Sequence, residues 1–131
     1  MLRPLRWRRL WVGAWIAMIL GVVVLSLMPS PPIPGPLTID KFDHGLAYFC
    51  LAAMAVQLFD TRAVWFVAAA WFVLLGVALE LAQGLLTTYR GMSAYDAMID
   101  AVGAALGLAT GWTPLRDLLK WLDARMPGRG D

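Results

Sequence analysis

Residues 96–113 read DAMIDAVGAALGLATGWT, and the placement of this stretch decides the fold. Only the 13 residues from Ala101 to Thr113 are free of charge. As an α-helix rising about 1.5 Å per residue they cover roughly 20 Å, short of the ~30 Å of a bilayer's hydrocarbon core. A helix that crosses must therefore take in Asp100 and Asp96. Gly103, Gly107 and Gly111 recur every fourth residue, a small-residue pattern through which helices approach closely in lipid. Asp96 and Asp100 fall on the same face. The stretch predicts a short crossing whose two acids turn into a bundle at one end.

Three longer apolar runs precede it. The chain of 131 residues is 60% hydrophobic and 15% charged, with mean hydropathy +0.67, where soluble domains carry roughly 25% charge. A soluble fold of this size has no interior large enough for that much apolar surface, so lipid is the expected solvent. The predicted class is all-α: a polytopic membrane protein, a single four-helix membrane domain over 10–113 with spans at about 10–28, 41–59, 63–86 and 95–113. A basic N-terminus over 1–9 and an amphipathic tail over 114–131 flank it. The first run, Leu10–Met28, follows Arg3, Arg6, Arg8 and Arg9 and exceeds the ~7–15 residues of a signal-peptide core. It reads as a retained anchor; cleavage near Met28 is the alternative and leaves three spans. Five prolines between Pro29 and Leu37 mark an extended loop. The single cysteine, Cys50, excludes an intrachain disulfide and any Cys-based metal motif.

Charge placement sets direction. With both termini cytoplasmic, nine of the eleven Lys and Arg residues lie inside and only Lys41 and Arg90 outside, which satisfies the positive-inside rule. The expected location is the cytoplasmic membrane, multi-pass. In the tail, Thr113 is a capping residue and Pro114 suits the first helical position. Leu115, Leu118, Leu119, Leu122 and Met126 recur at helical spacing opposite Arg116, Lys120 and Arg125. Such a helix lies on anionic lipid or caps the bundle.

This topology gathers the ionisable groups of the runs at the outer side, where charge near hydrocarbon is costly and marks function. Asp40, His44 and Tyr48 share one face of the second helix; Glu80 and Gln83 share one face of the third. Asp40 and Asp96 also suit helix N-termini, Lys41 can extend to headgroups, and Asp43 reads as boundary charge. Glu80 sits about two turns inside its run, and a buried carboxylate takes up a proton or finds a cation. His44, Glu80 and Asp96 are candidate catalytic groups. Asp40, Lys41, Tyr48, Gln83, Arg90, Ser93 and Asp100 are candidate substrate-binding groups. A divalent cation on Glu80, Asp96 and Asp100 with His44 is one reading, but no compact ligand spacing such as H-E-x-x-H occurs. No metal or other cofactor is assigned from sequence.

The pattern Asp40-Lys41, His44, Tyr48, Glu80-x-x-Gln83, Arg90-x-x-Ser93-x-x-Asp96, then Gly103 and Gly107, resembles the VanZ-like membrane proteins. The resemblance covers roughly half the chain. It departs at Asp100, where the family pattern usually has Asn, and at Thr88-Tyr89, where it often has Pro-Gly. It implies no settled chemistry; the family's namesake is associated with resistance to teicoplanin, a glycopeptide antibiotic that acts outside the membrane. Expected partners are membrane lipids and a lipid-linked envelope precursor; no nucleic-acid motif is present, and the oligomeric state is not legible. Action on an envelope lipid, by binding or by catalysis, is the leading expectation. The alternatives are a non-enzymatic scaffold whose polar groups pair with one another, and a small transporter.

Overall fold

The computed structural model describes residues 1–28, 37–86 and 94–128, and for 37–42 the backbone only. Its regular structure is helical, with no strand among the described residues; Leu2 and Phe59 form an isolated bridge. The helices are α1 (Arg8–Leu27), α2 (Leu37–Leu58), α3 (Arg62–Leu86), α4 (Ala94–Ala109) and α5 (Leu118–Arg125). Two of them are long and apolar enough to cross a membrane: α1, of 20 residues, with an 18-residue stretch of mean hydropathy 2.4, and α3, of 25 residues, with one of 2.2. α2 is as long, at 22 residues, but carries Asp40, Lys41, Asp43 and His44 in its first two turns. α4 has 16 residues, about 24 Å. Beyond Ala109 it tightens into a 3-10 turn over Thr110–Trp112. There the Thr110 hydroxyl donates to the Gly107 carbonyl at 2.6 Å and the Thr113 hydroxyl to the Thr110 carbonyl at 2.7 Å. These bonds satisfy carbonyls that a helix end otherwise leaves open.

Helices α1 to α4 alternate in direction. Ser26 near the end of α1 meets Gln83 near the end of α3, Gly45 early in α2 meets Gly103 in α4, and Gly76 late in α3 meets Asp100 early in α4. The α2–α4 seam is the tightest, because both glycines of its contact lack side chains. A Cβ on Gly103 would collide with the Gly45 carbonyl, and one on Gly107 would lie 2.8 Å from the Ala52 methyl and strike the Phe49 carbonyl. Tyr48, Leu51, Ala52, Ala55, Phe72 and Ala104 form the core. The Trp15 ring packs edge-on against Phe59 and Phe72, with centroids at 5.7 and 6.0 Å, and its Nε1 donates to the Leu51 carbonyl at 3.1 Å. Burial of these side chains stabilises at roughly 25 cal/mol per Å² in water; in lipid, close packing and hydrogen bonds take over that role.

Much apolar surface faces outward. α1 has no buried residue, and Ile16, Leu20, Val24 and Leu25 on it, Phe66, Val67, Trp71, Leu74 and Leu85 on α3, and Met98, Val102 and Leu106 on α4 are exposed. Single exposed apolar residues are ordinary, but continuous apolar surface on three helices is what a non-aqueous surrounding or a partner covers.

The tail closes the end of the bundle that holds the N-termini of α1 and α3. Thr113 caps a 3-10 turn over Pro114–Asp117, accepting the Leu115 N–H at 3.2 Å. α5 then buries Leu119 against Leu5 and Leu58. Gln57 of α2 reaches both elements: its Nε2 donates to the Leu115 carbonyl at 2.5 Å, and its Oε1 accepts the Leu119 N–H at 3.0 Å. Asp123 of α5, 3% exposed, accepts the backbone N–H groups of Arg6 and Trp7 at 2.6 and 2.9 Å and the Trp11 indole N–H at 2.9 Å. Arg3 is buried and donates to the Arg116 carbonyl at 2.8 Å and to Asp117 at 3.0 Å. The amphipathic tail is thereby a cap on the bundle.

Candidate functional site

The other end of the bundle holds a buried polar centre. His44 on α2, Glu80 on α3 and Asp100 on α4 each present a ligating atom, and the three atoms lie within 4.8 Å of one another. Glu80 is 5% exposed and Asp100 2%; His44 is partly buried. His44 Nδ1 stands 3.4 Å from Asp100 Oδ1. That separation is within ion-pair reach, yet Asp100 Oδ1 is buried without a hydrogen-bond partner.

Each side chain reaches this point for a local reason. Asp100 enters the bundle because Gly76 of α3 leaves room: a Cβ there would sit 3.2 Å from both the Cβ and Oδ2 of Asp100. Gly103 and Gly107 hold that face of α4 against α2, and Gly111 in the 3-10 turn beyond it meets the Trp65 ring, so Asp100 stays turned into the bundle. His44 precedes Gly45, the residue whose carbonyl meets Gly103. Tyr48, one turn beyond His44, is 2% exposed and lies within electrostatic range of Asp100 and Glu80. Gln83, 4% exposed, is one turn beyond Glu80, and its Nε2 donates to the Ser26 carbonyl at 2.7 Å, tying α3 to α1.

A cavity of about 200 Å³ opens beside the centre between α1 and α2. Its walls are Val22, Leu25 and Ser26 on one side and Asp43, His44, Ala47 and Tyr48 on the other. A larger groove of about 440 Å³ runs along the α2–α4 seam past Gly45, Phe49, Ile99 and Leu106. It is apolar throughout and presents no group for acid–base or ligand chemistry.

Of the residues singled out in the sequence, the fold brings His44, Tyr48, Glu80, Gln83 and Asp100 to one end. Asp96 is a turn before Asp100 on α4, half-buried, and outside the three-residue group. The side chains of Asp40 and Lys41, and Arg90 and Ser93 altogether, lie outside the described residues. Two further contributors are Gly76, a small residue on the Glu80 face of α3, and the Ser26 carbonyl, which carries no sequence signal.

The arrangement offers one imidazole and two carboxylates, buried together and reached from one side. It is suited to proton exchange, since imidazole titrates near neutrality, and to holding a cation. Comparison with family models, with curated proteins and with solved structures finds no match to this chain.

Proposed function

We propose that this chain is a multi-pass protein of the cytoplasmic membrane, VanZ-like in type. On this reading its outward-facing polar centre binds or processes an envelope lipid or lipid-linked precursor. Four crossings follow if α2 and α4 span as well, with the polar heads of both at the outer boundary. The described Lys and Arg residues support this orientation, since Arg3, Arg62, Arg116 and Lys120 lie at the end opposite His44, as the positive-inside rule requires of the cytoplasmic side. The observation that carries the reading is the cavity beside His44 and Tyr48. It connects a buried acid–base centre to the surroundings, an opening that on this topology falls near the lipid headgroups and that a merely structural ion-pair network does not need. The resemblance adds a phenotype, altered susceptibility to teicoplanin.

The test compares lipids copurifying with the wild type and with His44→Ala and Glu80→Gln, together with cellular lipid profiles and teicoplanin susceptibility. A specific lipid that is lost, or that accumulates unprocessed, in both variants supports the reading. Unchanged profiles in variants that still insert and fold reject it. The scaffold reading draws on the Gln83–Ser26 bond and the His44–Asp100 pair, which join four helices. It predicts that the same variants fail by loss of stability instead.

A further inference from the structure

We propose that His44, Glu80 and Asp100 form a binding site for one divalent transition-metal ion, of the Zn²⁺ class, with an exchangeable position facing the cavity between α1 and α2. The inference rests on the geometry of the three side chains and stands whether or not the centre acts on a lipid.

The donor set is one imidazole nitrogen and two carboxylate oxygens from three different helices. Imidazole favours Zn²⁺, Fe²⁺, Co²⁺ and similar ions over Mg²⁺ or Ca²⁺, which prefer all-oxygen surroundings. The spacing fits. Two ligands bonded at about 2.0–2.1 Å to a tetrahedral ion stand roughly 3.4 Å apart, and His44 Nδ1 and Asp100 Oδ1 are 3.4 Å apart. The third donor lies within 4.8 Å of both, so a side-chain adjustment of about an ångström closes the set.

A second observation points to a ligand independently of that spacing. Asp100 is 98% buried and its Oδ1 makes no hydrogen bond. A buried carboxylate oxygen needs a hydrogen bond or a charge partner, and His44 Nδ1 at 3.4 Å gives it a contact but no hydrogen bond. Among the described residues, the Lys and Arg side chains lie at the other end of the bundle.

Three protein donors leave one tetrahedral position for water or a substrate oxygen, the pattern of catalytic rather than structural zinc sites. His44 lines the cavity of about 200 Å³, so the open position faces the space through which small polar groups arrive. Asp100 has a role here that an amide could not fill, since Asn brings no charge to the ion. Asp100 is also where the chain departs from the VanZ-like pattern.

The experiment uses the full chain in detergent micelles or nanodiscs, purified without a polyhistidine tag and stripped with a chelator. Zn²⁺ is then added in equilibrium dialysis and Co²⁺ in a parallel optical titration. Expected for wild type is about one Zn²⁺ per chain, a visible Co²⁺ band of tetrahedral intensity, and a rise in Tm with Zn²⁺. Asp100→Asn and Glu80→Gln should each lower bound Zn²⁺ at least tenfold and abolish the Co²⁺ band. Asp117→Asn, at the opposite end, should retain both. If a centre variant fails to fold, the wild-type stoichiometry and Co²⁺ spectrum still decide. Wild type that binds no Zn²⁺ at micromolar concentration overturns the proposal, as does binding that survives in folded Asp100→Asn and Glu80→Gln. Metal binding with unchanged lipid profiles separates this site from the lipid reading, which then fails alone.

Discussion

Asp100 occupies the space that a side chain at Gly76 would fill: a Cβ built on Gly76 lies 3.2 Å from the Cβ and from Oδ2 of Asp100. A missing side chain on α3 therefore admits a carboxylate of α4 to the bundle interior, beside His44 and Glu80. Packing and polar chemistry are coupled at this point. The first prediction follows. Gly76→Val should push Asp100 away from His44, destabilise the fold by about 1–3 kcal/mol as an overpacked site, and weaken any ligand of the centre. Gly76→Ala, whose neighbour need give only a few tenths of an ångström, should be milder. Thermal unfolding in detergent, with and without added Zn²⁺, measures both effects.

The α2–α4 seam should tolerate no added carbon. A Cβ at Gly103 collides with the Gly45 carbonyl and one at Gly107 with the Phe49 carbonyl; backbone cannot step aside as a flexible side chain can. Gly103→Ala and Gly107→Ala should each separate the helices, costing about 1–3 kcal/mol or more. Gly13→Ala and Gly21→Ala on α1, where nothing stands within 4 Å, should be neutral or slightly stabilising through helix propensity. Relative melting temperatures of the four variants provide the check.

Asp123 should make the protein acid-sensitive. Burial pushes its carboxyl up, but the Trp11 indole and the Trp7 and Arg6 backbone N–H groups outweigh burial and hold it below the usual carboxylate range. A depressed folded value contributes stability that is fully present above the unfolded value, about 3.9, and that is lost as pH falls through the folded one. Unfolding measured from pH 7 downward should show a loss below about pH 4 that is smaller in Asp123→Asn. At neutral pH Asp123→Asn should already be less stable, since its amide N–H₂ faces donors. Asp123→Ala, which leaves buried donors unpaired, should lose about 1–3 kcal/mol or more.

Gln57 should hold the tail in place. It is 8% exposed and bonds both Leu115 and Leu119. Gln57→Leu keeps the volume but strands the buried Leu119 N–H, at about 1–3 kcal/mol, and frees the part-buried Leu115 carbonyl. Limited proteolysis should then cut between α4 and α5 faster than in wild type, while the His44 end keeps its properties. Equal cleavage rates would show that the Leu5–Leu58–Leu119 contact holds the tail without Gln57.

Sequence by itself determined the helical class and the element positions, because apolar runs of 20 or so residues with so little charge have few other solutions. It also determined that the acids of the fourth run sit at the head of a glycine-lined face, since helical period fixes which residues share a side. It named His44, Tyr48, Glu80, Gln83 and Asp100 among its candidate polar groups, but set Asp96 rather than Asp100 beside His44 and Glu80, the two acids being one turn apart on one face. Tertiary structure decided that choice: Gly76 makes room at the level of Asp100, and helix crossing geometry, absent from any single helix's pattern, sets that level. The clasp made by Asp123, Gln57 and the N-terminal segment was equally hidden. Its partners are more than fifty residues apart, and an acid on a tail helix reads as solvated charge until the backbone N–H groups it receives are brought to it by the fold.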